Sequence, residues 1–112
     1  DEHHLDDARL AVIAFGTPSR VANTAVKLAR QEGLKAGLFR PITLFPFPHQ
    51  PLAQLASRVR AMLVVELSLG QLAMDVKLAV GDKVPVRSYN RLGGMVPAPQ
   101  EIVQAIKELA RS

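Results

Sequence analysis

The sequence predicts a three-layer α/β/α domain built on a mainly parallel, four-stranded sheet, and three observations lead there. Short apolar runs of strand length alternate with stretches of helical periodicity along the whole chain. Two of those runs, Leu10–Phe15 and Ala61–Val65, carry no polar residue, as expected of central strands buried on both faces. Strand–helix alternation of this kind implies right-handed crossovers and helices on both sides of the sheet. Numbering the strands along the chain, the expected order is 2-1-3-4.

The elements follow in turn. Residues 1–8 read as a polar lead-in, a linker remnant from a longer protein, and residues 9–112 as one domain. Leu10–Phe15 is the first strand, broken at Gly16. Thr17 is placed to cap the next helix and Pro18 to occupy its first turn. Val21, Ala25, Leu28 and Ala29 mark that helix's apolar face, and Gly33 ends it as a left-handed cap. Ala36–Phe39 is a second, short strand leading through Arg40 to Pro41. Residues 42–48 form an apolar loop punctuated by proline, expected to pack over the sheet. A short helix carries Leu52, Leu55, Ala56 and Val59 on one side. Ala61–Val65 is the third strand, ending at Glu66. After the turn at residues 67–70, a helix over residues 71–80 turns Leu72, Val76 and Ala79 inward. Val84–Tyr89 is the fourth strand, and Pro85 argues for an edge position. A glycine-containing loop over residues 90–95 precedes the last helix, opened by Pro99. Its face of Ile102, Val103, Ile106, Leu109 and Ala110 is nearly ideal in spacing.

Composition narrows function. The 112 residues are 48% hydrophobic and suit one packed domain, with neither an internal repeat nor a second domain. There is no cysteine. That removes disulfides, thiolate metal ligands, cysteine nucleophiles and iron–sulfur ligation from this chain, and it suits a reducing cytoplasm. No apolar run reaches the roughly 20 residues of a membrane span. The net charge is +4, with four acids crowded into the first seven residues. The basic residues are scattered singly with little aromatic interleaving, which gives nucleic-acid binding no support. His3 and His4 stand side by side in the acidic lead-in and read as solvated.

In a parallel sheet, ligands and partners meet the loops beyond the carboxyl ends of the strands. The polar residues expected at that rim are Arg40, Glu66, Ser68, Gly70, Gln71, Asn90, Arg91, Gly93 and Gly94. Glu66 follows an apolar strand, so its carboxylate needs a partner. Arg40 and Arg91 are the expected mates, in an ion pair that orders the loops. The segment from Ser68 to Gln71 opens a helix and could hold an anion, yet it matches neither GxGxxG nor GxxxxGK[ST]. Ser68 as a helix cap and Gly70 as a turn residue are the simpler reading. No Ser/His/Asp set, metal-spaced cluster or nucleotide fingerprint is present, so no catalytic, cofactor-binding or metal-binding residue is assigned.

Three segments together resemble one family: residues 33–48 with RPITLFPFP at 40–48, residues 63–71 with VVELSLGQ at 64–71, and NRLGG at 90–94 followed by Pro99, Glu101 and Ile102. They are similar to the carboxyl-terminal, transketolase-C-like domain (domain II) of the alpha subunit of 2-oxoacid:ferredoxin oxidoreductases, of the 2-oxoglutarate and 2-ketoisovalerate types. The resemblance runs from about Leu10 to Leu109 and departs at Ser68, where the family favours asparagine. It implies a parent enzyme that decarboxylates a 2-oxoacid oxidatively, joins the acyl group to coenzyme A and passes electrons to ferredoxin. Thiamine diphosphate, magnesium and iron–sulfur clusters are implied for that complex, and none for this fragment. The implied partners are an upstream pyrimidine-binding domain, the beta and gamma subunits and ferredoxin, with neither nucleic acid nor membrane. The domain's implied role is a non-catalytic scaffold, inactive alone. Two alternatives share the fold. One is the carboxyl domain of a transketolase or of a 2-oxoacid dehydrogenase beta chain. The other is a stand-alone, anion-binding flavodoxin-like module.

Overall fold

A computed structural model describes residues 2–16, 18–41, 47–67, 71–90 and 97–111. Along the chain run β1 (Glu2–His3), β2 (Leu10–Ala14), α1 (Pro18–Gln31), β3 (Ala36–Phe39), α2 (His49–Ala56), β4 (Ala61–Glu66), α3 (Gln71–Val80), β5 (Val86–Asn90) and α4 (Pro99–Arg111). The sheet order is β1-β3-β2-β4-β5. Its four long strands are parallel and stand in the expected order, with β2 central and β5, preceded by Pro85, at one edge.

Alternation along the strands divides the core into two layers. Ala11, Ile13, Met62 and Val64 face α2 and α3, packing with Leu52, Leu55 and Val76. Val12, Leu63 and Val65 face α1 and α4, packing with Ala22, Val26, Ile102 and Ile106. The helices therefore sit two to a side, as the α/β/α reading requires. On α1 the most buried positions are Ala22, Ala25, Val26 and Ala29, while Val21 and Leu28 are only partly covered. The small alanines let α1 lie close against the sheet, which rotates the larger side chains outward. Val59 is buried, but in the turn after α2 and not on the helix.

Helix ends follow their sequence signals. Gly33 has φ 89°. Its N–H donates to the Arg30 carbonyl and that of Leu34 to the Ala29 carbonyl, both at 3.0 Å. This is the paired Schellman arrangement that a left-handed glycine permits. At the start of α4, Glu101 reaches back to accept the Ala98 N–H at 3.3 Å and also accepts the Tyr89 hydroxyl, tying β5 to that helix. Thr17, expected to cap α1, lies outside the described residues, as does most of the proline loop. Phe47 at the end of that loop packs against the α2/α3 layer.

The lead-in differs most from its expected solvated state. β1 pairs antiparallel with β3, Glu2 opposite Phe39 and His3 opposite Leu38. Leu5 and Ala8 are buried. Arg30 of α1 holds the segment: its Nη2 donates to the His4 carbonyl and to Asp7 Oδ1, both at 2.6 Å, and its Nε donates to the Ala36 carbonyl at 2.7 Å. Space for the crossing comes from Gly37, where a Cβ would stand 2.7 Å from the His4 carbonyl oxygen and 2.6 Å from Leu5 Cδ2. A glycine inside a strand often marks such a close approach. Residues 2–8 thus form a strap that covers the outer edge of β3, which would otherwise present open backbone groups.

Candidate functional site

The carboxyl ends of the parallel strands converge on one rim. Register places Glu66, the last residue of β4, directly opposite Asn90, the last of β5. Gln71 opens α3 and is exposed. Arg40 follows β3 and is exposed. Phe39 is level with Ile13, and Ala14 with Val65. Arg40 therefore stands about one residue below Glu66 along the strands and two strands away, roughly 10 Å between backbones. Ser68, Gly70, Arg91, Gly93 and Gly94 lie outside the described residues.

Glu66 is the most buried ionisable group of the described rim, only 5% exposed. Its Oε1 accepts the Leu72 N–H at 2.9 Å and its Oε2 the Ala73 N–H at 3.0 Å. Those are the second and third residues of α3, whose N–H groups have no partner inside the helix. An N-cap side chain ordinarily supplies the acceptor. Here it comes from the neighbouring strand end, and the carboxylate also meets the positive end of the helix dipole. Both oxygens and both donors are thereby engaged.

Sequence reasoning found the buried carboxylate and named arginines as its mates, but did not foresee these two main-chain donors. The signal it passed over was spacing: a strand-terminal Glu five residues before a helix start puts the carboxylate beneath the helix's first turn. The same contact bears on the anion-binding alternative, since the α3 terminus is occupied by the chain's own carboxylate.

At the start of α1, Gly16 adopts φ 75°, and its carbonyl accepts both the N–H (3.0 Å) and the hydroxyl (2.6 Å) of Ser19, which is 2% exposed. Ser19 is thus a buried turn-former and not a free nucleophile. Away from the loops, a shallow groove of about 310 Å³ lies between α1 and α4, lined by Leu28, Val103, Gln104 and the ion-paired Lys107 and Glu32, 2.6 Å apart.

The chemistry of the donors decides which cofactors fit. Iron–sulfur clusters are held chiefly by thiolates, and the sequence contains none. Among the described residues no three His, Asp or Glu side chains gather as metal ligands, and the rim carboxylate is committed to α3. The described rim does not fit a thiamine diphosphate–magnesium group or a cluster. Among the described residues, no helix is long and apolar enough to cross a membrane.

A strap-edged, mainly parallel sheet with helices on both sides and a self-capped rim defines an α/β domain class, and comparison with known proteins gives the family. The model of the pyruvate:ferredoxin oxidoreductase core domain II matches residues 8–102, and the chain belongs to that family. It is 42% identical over 110 residues to ketoisovalerate oxidoreductase subunit VorB of Methanothermobacter marburgensis, covering 98% of this chain and 31% of that subunit. It is 40% identical over 101 residues to 2-oxoglutarate synthase subunit KorA of the same organism, covering 90% of this chain and 27% of that subunit. A solved structure of 2-oxoglutarate:ferredoxin oxidoreductase from Magnetococcus marinus, with 2-oxoglutarate, coenzyme A and succinyl-CoA bound, superimposes with a TM-score of 0.81 at 25% identity. That match covers 91% of this chain and 18% of the other. A split-gene transketolase superimposes with a TM-score of 0.79 at 19% identity over 92% of this chain and 38% of that one, a likeness of fold. The chain spans under a third of the curated oxidoreductase subunits it matches. The resemblance read from the RPITLFPFP and VVELSLGQ segments, and the transketolase-like α/β fold expected with it, are borne out.

Proposed function

We propose that this chain is the assembly domain of the alpha subunit of a 2-oxoacid:ferredoxin oxidoreductase. The complete complex would convert a 2-oxoacid, coenzyme A and oxidised ferredoxin to acyl-CoA, carbon dioxide and reduced ferredoxin, in the cytoplasm. Thiamine diphosphate, magnesium and iron–sulfur clusters belong to other parts of that complex. The domain's partners are an upstream pyrimidine-binding domain and the beta and gamma subunits, with ferredoxin meeting the complex as a whole. Its contact surface is the carboxyl rim: Arg40, Glu66, Gln71 and Asn90, joined by Ser68, Gly70, Arg91, Gly93 and Gly94. Ion pairing of Glu66 with Arg40 and Arg91 belongs to the same proposal.

The observation that carries this reading is the state of Glu66. The buried carboxylate of the rim is spent on capping α3, so it supports shape and not proton transfer. A complex carrying Glu66→Ala tests it, with assembly followed by size-exclusion chromatography and turnover measured per assembled complex. The expected result is a lower yield of complex with kcat retained. A normal yield with turnover reduced roughly 10²-fold or more, the scale of a lost general acid or base, would make Glu66 catalytic and overturn the proposal.

A further inference from the structure

The two edges of the sheet differ. β1 covers the outer side of β3, whereas among the described residues β5 has a neighbouring strand only on its β4 side. β5 is also open to solvent: Arg87, Ser88 and Asn90 are exposed, and Val86 and Tyr89 are half-buried. One bond sets its phase along β4. The Met62 N–H donates to the Pro85 carbonyl at 3.0 Å, with Met62 level with Val86. Main-chain groups alternate in direction along a ladder, so Arg87 and Tyr89 turn theirs toward β4, while Val86, Ser88 and Asn90 turn theirs outward. Pro85 therefore leaves the outer side unblocked, and none of the three residues with outward groups carries a charge. The usual guards of an edge strand are missing from the row that a further strand would meet.

We propose that β5 is a strand-addition edge whose occupant is β5 of a second copy of this chain, antiparallel to it about a two-fold axis at Ser88. That register is self-complementary. Ser88 meets Ser88 and Val86 meets Asn90, each a pair with outward main-chain groups on both members, so their N–H and carbonyl groups satisfy one another. Arg87 falls opposite Tyr89 at the closer, non-hydrogen-bonded spacing, which brings a guanidinium to an aromatic ring. Glu101 accepts the Tyr89 hydroxyl and so fixes that ring. A two-fold axis one residue earlier would set two Arg87 side chains directly opposite, a destabilising pair. The contact is isologous and closes on itself. It leaves at each end of the joined sheet only the two-residue β1, and very short edge strands resist further pairing. This surface is separate from the carboxyl rim, and the inference goes beyond the assembly reading.

Disulfide trapping in the complete complex tests the pairing, and the chain brings no cysteine of its own to confuse it. Paired Ser88 residues would stand about 5.5 Å apart between Cα atoms, a separation that a disulfide spans. The two Asn90 residues would be offset by four positions, on the order of 13 Å along the strands, which a disulfide does not span. On mild oxidation Ser88→Cys is expected to give a covalent dimer of this chain joined at residue 88, mapped by mass spectrometry, and Asn90→Cys none. Adding Asn90→Pro to Ser88→Cys removes an outward N–H while leaving the β4 ladder whole, and most of that dimer should be lost. Three results overturn the inference: no residue-88 dimer in a complex of normal size, trapping of position 88 to a different subunit, or a dimer yield unchanged by Asn90→Pro. Each leaves the assembly reading standing.

Discussion

Replacing Glu66 by alanine isolates what the rim carboxylate does. The change removes two charge-assisted hydrogen bonds and leaves the Leu72 and Ala73 N–H groups, on buried residues, without that acceptor. A buried donor left unsatisfied costs about 1–3 kcal/mol. Loss of a favourable charge at a helix N-terminus adds roughly 0.3–1 kcal/mol, and up to about 2 when partly buried. Water entering the vacated space recovers part of this, so a destabilisation of about 3–5 kcal/mol is expected. Against a total stability of about 5–15 kcal/mol for a domain, that is a large fraction. Glu66→Gln keeps one carbonyl acceptor but turns an amide donor toward the other N–H, and should fall between alanine and wild type. The assay is urea denaturation followed by circular dichroism. Added sulfate gives a second readout. An anion seated on the exposed α3 terminus restores stability by mass action in the alanine variant and not in the wild type. An alanine variant within about 0.5 kcal/mol of wild type, the range of an unremarkable surface change, would refute the capping argument.

Two further outcomes follow from the strap. Gly37→Ala places a methyl 2.7 Å from the His4 carbonyl oxygen, so the strap must move. A cost of about 1–3 kcal/mol is expected, as for overpacking, with hydrogen-exchange protection lost at residues 3–8 and kept in β2 and β4; unchanged protection of the strap would contradict the described crossing. Asp7 titrates below its ordinary value, chiefly because Arg30 hydrogen-bonds its carboxylate. Stability from that pair is present at neutral pH, above the unfolded value, and is lost as pH falls through the lower folded value. Asp7→Asn should therefore be less stable than wild type at pH 7, with the gap closing below about pH 4; a gap that persists at pH 2 would assign the effect to something other than charge.

The elements most legible in the sequence were those whose burial is complete. Leu10–Ala14 and Ala61–Val65 could only be central strands, because no polar residue offered a solvent face, and β2 and β4 are accordingly neighbours at the centre of the sheet. The α4 face was legible because Ile102, Ile106 and Leu109 lie one turn apart and are all buried. The strap was not. Its residues are mostly polar, and only Leu5 and Ala8 enter the core, too few to form a period. Its trace in the sequence was Gly37, a strand glycine that only a close crossing explains. At the rim, burial of Glu66 was legible from the apolar run before it. Its two main-chain donors were not, because N–H groups carry no residue signature and are supplied by Leu72 and Ala73 whatever their side chains.

Arg60 joins two places that the chain visits far apart. Its own N–H donates to the Arg9 carbonyl and its guanidinium to the Ala110 carbonyl, each at 2.7 Å. Without the strap, the first and last residues of the folded core would therefore be neighbours, the geometry that favours circular permutation. A permuted core with residue 111 linked to Arg9, opened in the turn between α3 and β5, would retain the pairings of all four parallel strands. Residues 2–8 undo that closure: Glu2, beside Phe39, stands at the carboxyl end of the sheet, while the end of α4, bonded to Arg60, stands at the amino end.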